Sequence, residues 1–185
     1  MGRLSTFSDQ AIFDEVGAQL ARGEAIRLQN LVENTGVSVG SIYHRFGSKE
    51  GVVAAAWLDS LRTFQKLLVS ELTSGAPNAG ERSALTTPQF CRTHRRRAII
   101  LALGRQEEFL TPSTPEEWAH EAETLNAEIA TALSGFADGL RVPLIACQLG
   151  IMAYPLAAVR LYIPNKPVPK SIDAYVLSAY KSAIT

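Results

Sequence analysis

The sequence predicts an all-α protein of about nine helices, and three observations support this. Apolar residues recur at three- and four-residue spacing along most of the chain, which is the helical period. Glycine follows several of these apolar stripes directly, as expected where helices end. No segment alternates apolar and polar residues as a β-strand does. With 185 residues, 46% hydrophobic and 19% charged, the chain is neither disordered nor collagen-like and can build a core.

Three short helices are predicted at the start of the chain. The first extends from about Ser8 to Ala21 and stops at Gly23, a residue typical of the position after a helix end. The third extends from Val39 to Phe46, with Ser38 as its N-cap. Between them lies a second helix whose inner stripe comprises Leu28, Leu31 and Val32.

A long fourth helix follows, beginning at Ser48. Its apolar stripe comprises Val52, Ala55, Ala56, Leu58, Leu61, Phe64, Leu68 and Leu72. The glycine, proline and asparagine between residues 74 and 80 predict a loop. Pro88 and Pro115 are each typical of a first helical turn.

Two further helices are expected near the C-terminus, at about Leu140 to Tyr162 and Lys170 to Ala183. The pattern as a whole predicts a small N-terminal unit, residues 1–47, continuous with a larger helical bundle, residues 48–185.

The junction of the second and third helices has the features of a helix-turn-helix. Gly36 suits a left-handed backbone, Val37 fills the angle between the helices, and Ser38 caps the third helix. Ile42 and Phe46 lie four residues apart and therefore face the core together. The third helix is thus predicted to be the one that enters the major groove of DNA.

The remaining faces of the third helix suit DNA. Gly40 and Ser41 are small enough to let the helix backbone approach base edges closely. Tyr43 and His44 can reach phosphates with a hydroxyl and an imidazole N–H. The helix that starts at Lys49 offers amides and an ammonium to one more phosphate.

The segment from residue 35 to residue 51 resembles the TetR family of bacterial transcriptional regulators. Its sequence TGVSVGSIYHRFGSKEG contains a Gly-Val-Ser turn, a Tyr-x-x-Phe recognition helix and a Ser-Lys-Glu helix start. Upstream, Ala11-Ile12-Phe13 and Leu20-Ala21-Arg22-Gly23 are similar to the family's first helix and its stop. The resemblance covers about residues 8–60. It implies a DNA-binding domain followed by an effector domain that binds a small molecule and dimerises.

The chain departs from the family pattern at the start of the second helix. Family members often have Thr or Ser there, whereas this chain has Ala25-Ile26-Arg27, so that Arg27 is a candidate phosphate contact. The predicted DNA contacts are therefore Arg27, Ser38, Val39, Gly40, Ser41, Tyr43, His44 and Lys49.

Charge is distributed in blocks, although 18 bases and 18 acids give the chain no net charge. Zero net charge excludes a protein that coats nucleic acid through charge alone. Residues 82–106 carry six arginines and no acid, and residues 107–140 carry eight acids and no base. The run from His94 to Arg97 is interpreted either as an anionic-ligand site or as a basic face that is solvated or paired with nearby acids. Those acids are Glu107, Glu108, Glu116, Glu117 and Glu121.

The two C-terminal helices are the candidate dimer interface, because their apolar surface is larger than a small bundle requires. The predicted interface residues are Leu144, Leu149, Met152, Leu156, Val159, Val176, Leu177 and Tyr180. The alternative for these residues is an ordinary core. Candidates to line a ligand cavity are the bulky or polarisable residues Trp57, Phe64, Phe90, His94, Phe109, Trp118, Met152 and Tyr154, each of which could equally be plain packing.

The sequence therefore favours a homodimeric regulator, a repressor, that binds palindromic operator DNA and responds to a small-molecule effector. The alternative is a helix-turn-helix regulator whose C-terminal half binds a protein partner. No catalytic set, cofactor motif or metal-ligand spacing is present, and Cys91 and Cys147 are expected to be free thiols in the cytoplasm. The charge-free stretch from Val142 to Val159 is expected to be a packing helix and not a membrane span.

Overall fold

A computed structural model describes residues 8–103, 109–112 and 114–185, and within these ranges it contains nine helices and no strand. This confirms the predicted all-α class. The helices are α1 Asp9–Ala21, α2 Leu28–Thr35, α3 Val39–Phe46, α4 Lys49–Leu72, α5 Ala79–Thr93, α6 Arg95–Leu103, α7 Glu116–Leu140, α8 Leu144–Arg160 and α9 Ile172–Ile184. The middle of α8, Gln148–Ala153, is a π-helical segment.

The three N-terminal helices end where local chemistry dictates. Gly23 and Gly36 have φ of 69° and 71°, the left-handed conformation that closes α1 and α2. Ser38 caps α3 by accepting a hydrogen bond from the Ser41 amide at 3.1 Å. Val37 is buried at the turn, so the predicted helix-turn-helix geometry is confirmed.

A buried glutamine holds the start of α2, where no side chain caps the helix. Gln19 of α1 is fully buried and accepts a hydrogen bond from the Arg27 amide at 2.8 Å. Its amide nitrogen donates to the Arg27 carbonyl at 3.4 Å. Gln19 thus bonds both backbone groups of Arg27, the N-cap residue, and fixes the chain where α2 begins.

One cluster of buried residues extends from the three N-terminal helices into the bundle. Leu31, Ile42 and Phe46 pack in it with Val52 and Trp57 of α4. Ile100 of α6, Phe109 and Ala122 of α7 complete its far side. The core is therefore continuous across residues 47 and 48, where the two domains are predicted to meet.

Two further clusters fill the bundle. One joins α4, α5 and α7 to α8 and α9 and includes Leu68, Leu133 and Tyr180. The other joins α5 and α6 to the segment between α8 and α9 and includes Phe90, Val159 and Val168. Pro88 lies inside α5, so its predicted place in a first helical turn is wrong, because buried neighbours on both sides hold the helix together.

Four of the described arginines of residues 82–106, namely Arg82, Arg92, Arg95 and Arg97, bond to groups other than the acids of the neighbouring block. Arg92 makes a two-bond ion pair with Asp173 of α9, at 3.0 Å each. Arg95 donates to the backbone carbonyls of Pro164 and Lys166. The predicted partner Glu121 instead accepts from Arg62 at 2.8 Å, so the proposed pairing between the blocks is wrong for these residues. Glu107 and Glu108 lie outside the described residues.

Within the described ranges, no single helix is long and apolar enough to cross a membrane. Helices α7 and α8 meet such a test only as a pair, and the chain bends by 112° between them.

Candidate DNA-binding surface and ligand cavity

Helix α3 turns one face to the core and the other to the surface. Ile42 is fully buried and Phe46 nearly so. On the outer face, the apolar side chain of Val39 is 46% exposed and the aromatic side chain of Tyr43 is 48% exposed. The other predicted DNA contacts at the start of α3 and within it are exposed as well. They are Ser38, Gly40, Ser41 and His44. The helix therefore presents a continuous surface of small, hydroxyl and aromatic groups.

Glycines at the two ends of this surface have different roles. At Gly51 an added Cβ would overlap the Phe46 carbonyl oxygen, so the contact between α3 and α4 requires glycine. At Gly40 an added Cβ would meet only the Ser38 hydroxyl oxygen, at 3.9 Å. The fold therefore does not require Gly40, and glycine inside a helix costs about 0.5–1 kcal/mol relative to alanine.

The start of α4 is partly occupied by groups of the chain itself. The Ser48 hydroxyl accepts from the Gly51 amide at 2.9 Å. The pKa of the Glu50 carboxyl is lowered, chiefly because it accepts a hydrogen bond from its own backbone amide, and further because Lys49 lies beside it. The Lys49 ammonium, 3.5 Å from Glu50, remains exposed. Of the groups predicted to form the phosphate site, the Lys49 ammonium is thus the one best placed to bind a phosphate.

Two arginines flank the surface. Arg27 is exposed at the N-terminus of α2, where Gln19 fixes its backbone. Arg45, which the sequence did not single out, donates to Asp9 of α1 at 2.7 Å. Asp9 lies 36 residues before Arg45, so only the packing of α1 against α3 brings them together. Arg45 is half-exposed in this pair and stays within reach of the surface.

This arrangement is that of a helix-turn-helix DNA-binding protein, a regulator of transcription. Residues 24–56 match the family described as bacterial regulatory proteins, tetR family. This match confirms the resemblance drawn from the sequence over the helix-turn-helix, and it supports a DNA-binding transcriptional regulator of the tetR type. No curated protein matches the sequence.

A second site lies inside the bundle, between α4, α5, α6 and α8. It is a cavity of about 280 Å³, called the bundle cavity below. Four of the predicted ligand residues line it: Trp57, Phe64, Phe90 and Met152. The lining residues that the sequence did not indicate for a cavity are Leu61, Thr87, Cys91, Ala98, Leu101, Ala102, Leu156 and Val159.

The other four predicted ligand residues lie outside the bundle cavity. His94 stacks on Phe90, with ring centroids 5.0 Å apart, and is thus behind the cavity wall. Phe109 stacks on Trp57 in the N-terminal core cluster. Trp118 lines a separate polar groove with Asp9, and Tyr154 is 41% exposed at the surface. Periodicity alone could not assign these side chains to one space, because each belongs to a different packing layer.

Helix α6 connects the bundle cavity with the DNA-binding unit. Ala98, Leu101 and Ala102 line the cavity from α6. Earlier in the same helix, the Arg96 carbonyl oxygen would lie 2.8 Å from a Cβ placed on Gly17, so α1 and α6 are in close backbone contact.

Arg97 of α6 reinforces that connection. It donates to Asp59 of α4 at 2.8 Å and also to Gln10 of α1. Arg97 and Asp59 are both largely buried, which makes the pair geometrically constrained.

The residues predicted for the dimer interface divide into two groups. Leu144 and Met152 of α8 are 40% and 37% exposed, and Leu149, Leu156 and Leu177 are partly exposed. Val159, Val176 and Tyr180 are buried in the chain's own core. Their assignment to a dimer surface is therefore corrected, because they have no surface left to bury. Exposed apolar residues beside the first group are Ile145, Leu161 and Tyr175.

Among the described residues, no group of three or more His, Cys, Asp and Glu side chains is arranged to hold a metal ion.

Proposed function

We propose that the protein is a homodimeric transcriptional repressor that binds palindromic operator DNA in the cytoplasm and is released by a small-molecule effector. The observation that carries the ligand response is the position of α6, which lines the bundle cavity at one end and contacts α1 at the other. The cavity favours a small molecule over a protein partner as the signal, because concave apolar spaces lined by aromatic side chains are typical of ligand sites.

On DNA, α3 lies in the major groove. Gly40 and Ser41 approach base edges, while Tyr43, His44 and Lys49 contact phosphates around them. Arg27 and Arg45 extend the phosphate contacts on either side. Since residues 1–66 carry no net charge, affinity depends on these few placed groups, and its salt dependence is shallow.

Release follows from a change in the position of α6. A molecule in the bundle cavity that prefers a displaced α6 shifts the population toward that state. Gly17 and Gln10 transmit the shift to α1, against which α3 is held by the Asp9–Arg45 pair. Two recognition helices must sit about one helical turn apart on DNA, so a changed spacing lowers affinity.

Dimerisation uses the exposed apolar face of α8 with α9. Such exposed patches of large apolar residues mark association surfaces in proteins. The face comprises Leu144, Ile145, Leu149, Met152, Leu156, Leu161, Tyr175 and Leu177.

Selection of bound DNA from a random pool tests this function. The expected result is a palindromic consensus with half-sites one helical turn apart, recovered by the full chain. A consensus of a single half-site would contradict the dimer, and recovery of no consensus would contradict specific binding. Screening the selected operator in a gel-shift assay against a library of small molecules then tests release.

A further inference from the structure

Among the described residues, no charged side chain lines the bundle cavity. Eleven of its twelve lining residues are apolar, aromatic or sulfur-containing. Cys91 is the lining residue that could ionise, and burial raises its pKa to about 11, against a smaller opposing effect of Arg92 and Arg95. It is therefore neutral at pH 7. An ion entering this space would lose its hydration without gaining a partner, at a cost of several kcal/mol.

Thr87 is the exception among the lining residues, because its side chain carries a hydroxyl. The residue is 8% exposed, and its hydroxyl has no hydrogen bond to any described residue. In the same helix, the Thr86 and Thr93 hydroxyls donate to the carbonyls of Arg82 and Gln89. A hydrogen bond from a ligand to this hydroxyl contributes about 0.5–1.5 kcal/mol net.

The volume limits the size of the occupant. An apolar cavity of about 150 Å³ accepts one benzene molecule. The bundle cavity, at about 280 Å³, is nearly twice as large. Its aromatic walls, Trp57, Phe64 and Phe90, suit a planar molecule of two fused rings.

We propose that the effector is a neutral, largely apolar molecule of about two rings that carries one hydroxyl or carbonyl group, bound through Thr87. This rests on the proposed ligand response and specifies its chemistry. It also excludes the anionic effector considered for the arginine run. None of the arginines that the structure describes lines the cavity, and Arg92, Arg95 and Arg97 are engaged with Asp173, backbone carbonyls and Asp59.

Three probes of matched size test the proposal by equilibrium dialysis against the full chain, without DNA. They are 1-naphthol, naphthalene and 1-naphthoate, which differ in the hydroxyl and the charge. We expect 1-naphthol to bind about ten-fold more tightly than naphthalene, since one hydrogen bond contributes about 1.4 kcal/mol. We expect 1-naphthoate to bind at least about 100-fold more weakly than 1-naphthol, because its charge would be buried.

Variants at Thr87 separate the hydroxyl from packing. In Thr87→Val the preference for 1-naphthol over naphthalene should disappear while naphthalene binding is unchanged, and in Thr87→Ser it should return. Thr93→Val is the matched control, because Thr93 is exposed and away from the cavity. It should retain the full preference. Circular dichroism verifies that each variant is folded, and Thr87→Ala, which also removes the hydroxyl, serves as the test if Thr87→Val is not.

The proposal is overturned if 1-naphthoate binds as tightly as 1-naphthol, if Thr87→Val keeps the preference, or if the chain retains none of the probes. These outcomes are distinct from failure of the proposed function. A chain that binds 1-naphthol but keeps its operator supports the cavity chemistry and contradicts the ligand response. A chain that selects a palindrome but binds 1-naphthoate as tightly as 1-naphthol supports the proposed DNA binding and contradicts the proposed cavity chemistry.

Discussion

At the scale of single residues, Gly40 has a role that the fold of the free protein does not explain. Its position in α3 is open, and alanine would fit there without a clash. We therefore expect Gly40→Ala to raise stability to urea by about 0.5–1 kcal/mol. The same change should alter operator preference in the DNA selection, because the added methyl group would face the bases. Loss of stability together with unchanged preference would show that glycine serves the fold.

Tyr43 and Lys49 are expected to contact phosphates and so to set affinity without setting sequence preference. Tyr43→Ala and Lys49→Ala should each weaken binding to all DNA sequences, by about 1–2 kcal/mol in a gel-shift titration. Lys66→Ala is the matched control, since Lys66 is an exposed lysine of the same helix, α4, far from α3. If both variants bind DNA as tightly as the Lys66→Ala control, the assignment of Tyr43 and Lys49 to the DNA interface is contradicted.

Burial of the Cys91 thiol is expected to make the protein less stable as pH rises above 9. Its pKa is about 11 in the fold and 9.0 as the ordinary value, so folding favours the protonated thiol. The contribution of the neutral thiol to the free energy of unfolding is complete below pH 9 and is lost as pH rises toward 11. The loss amounts to about 2 kcal/mol by pH 10.5. Urea unfolding at pH 8 and pH 10.5 should therefore show a smaller pH effect for Cys91→Ala than for the wild type. Equal pH effects would indicate that the thiol is accessible to water.

At the scale of helices, the contact between α1 and α6 is the feature on which the proposed response depends. A Cβ at Gly17 would lie 3.0 Å from the Arg96 Cβ and still closer to the Arg96 carbonyl oxygen. Gly17→Ala must therefore separate the two helices, and overpacking of this kind costs about 1–3 kcal/mol. We expect the variant to lose operator affinity although α3 is untouched.

Gly135→Ala provides the control for that prediction. Gly135 is also a helical glycine, but nothing lies within 4 Å of an added Cβ. It should keep wild-type operator affinity and be as stable or more so. If Gly17→Ala also keeps wild-type affinity, the contact with α6 does not control the DNA-binding unit.

At the scale of the whole molecule, the absence of net charge reflects separate local arrangements. Of the described arginines between residues 82 and 97, Arg82 is paired with Glu71, Arg92 with Asp173 and Arg97 with Asp59. Few of them remain available to attract DNA from a distance. In the proposed function, specific binding is expected to depend on two correctly spaced recognition helices and therefore on dimerisation.

The dimer is expected to have a mass of about 40 kDa by light scattering, by two-fold association of the 20.0 kDa chain. Ile145→Glu should shift it toward the monomer, since Ile145 is 58% exposed on α8 and a buried charge would oppose association. Leu67→Glu is the control, at an exposed leucine of α4. A wild-type monomer at micromolar concentration would contradict recognition of a palindrome.

The ends of the helices were predictable because they depend on neighbouring residues. Gly23 and Gly36 end their helices through their own backbone conformation. Ser38 caps α3 through its side chain, which accepts a hydrogen bond from the backbone amide three residues later. Pro88 was misplaced for the opposite reason. Local preference puts proline at a helix start, while packing of α5 in the bundle overrides that preference.

The sequence by itself determined the helical class, the helix-turn-helix and the residues exposed on its third helix, since all of these follow from spacing and turn chemistry within a few residues. The tertiary structure decided which bulky residues enclose the bundle cavity and which fill the core. It also decided that Thr87 faces that cavity, that Gln19 fixes the backbone where α2 begins, and that Arg97 connects α6 to α1 and α4. Each of these depends on residues brought together from distant parts of the chain, and the spacing within one helix carries no information about the partner that packs against it.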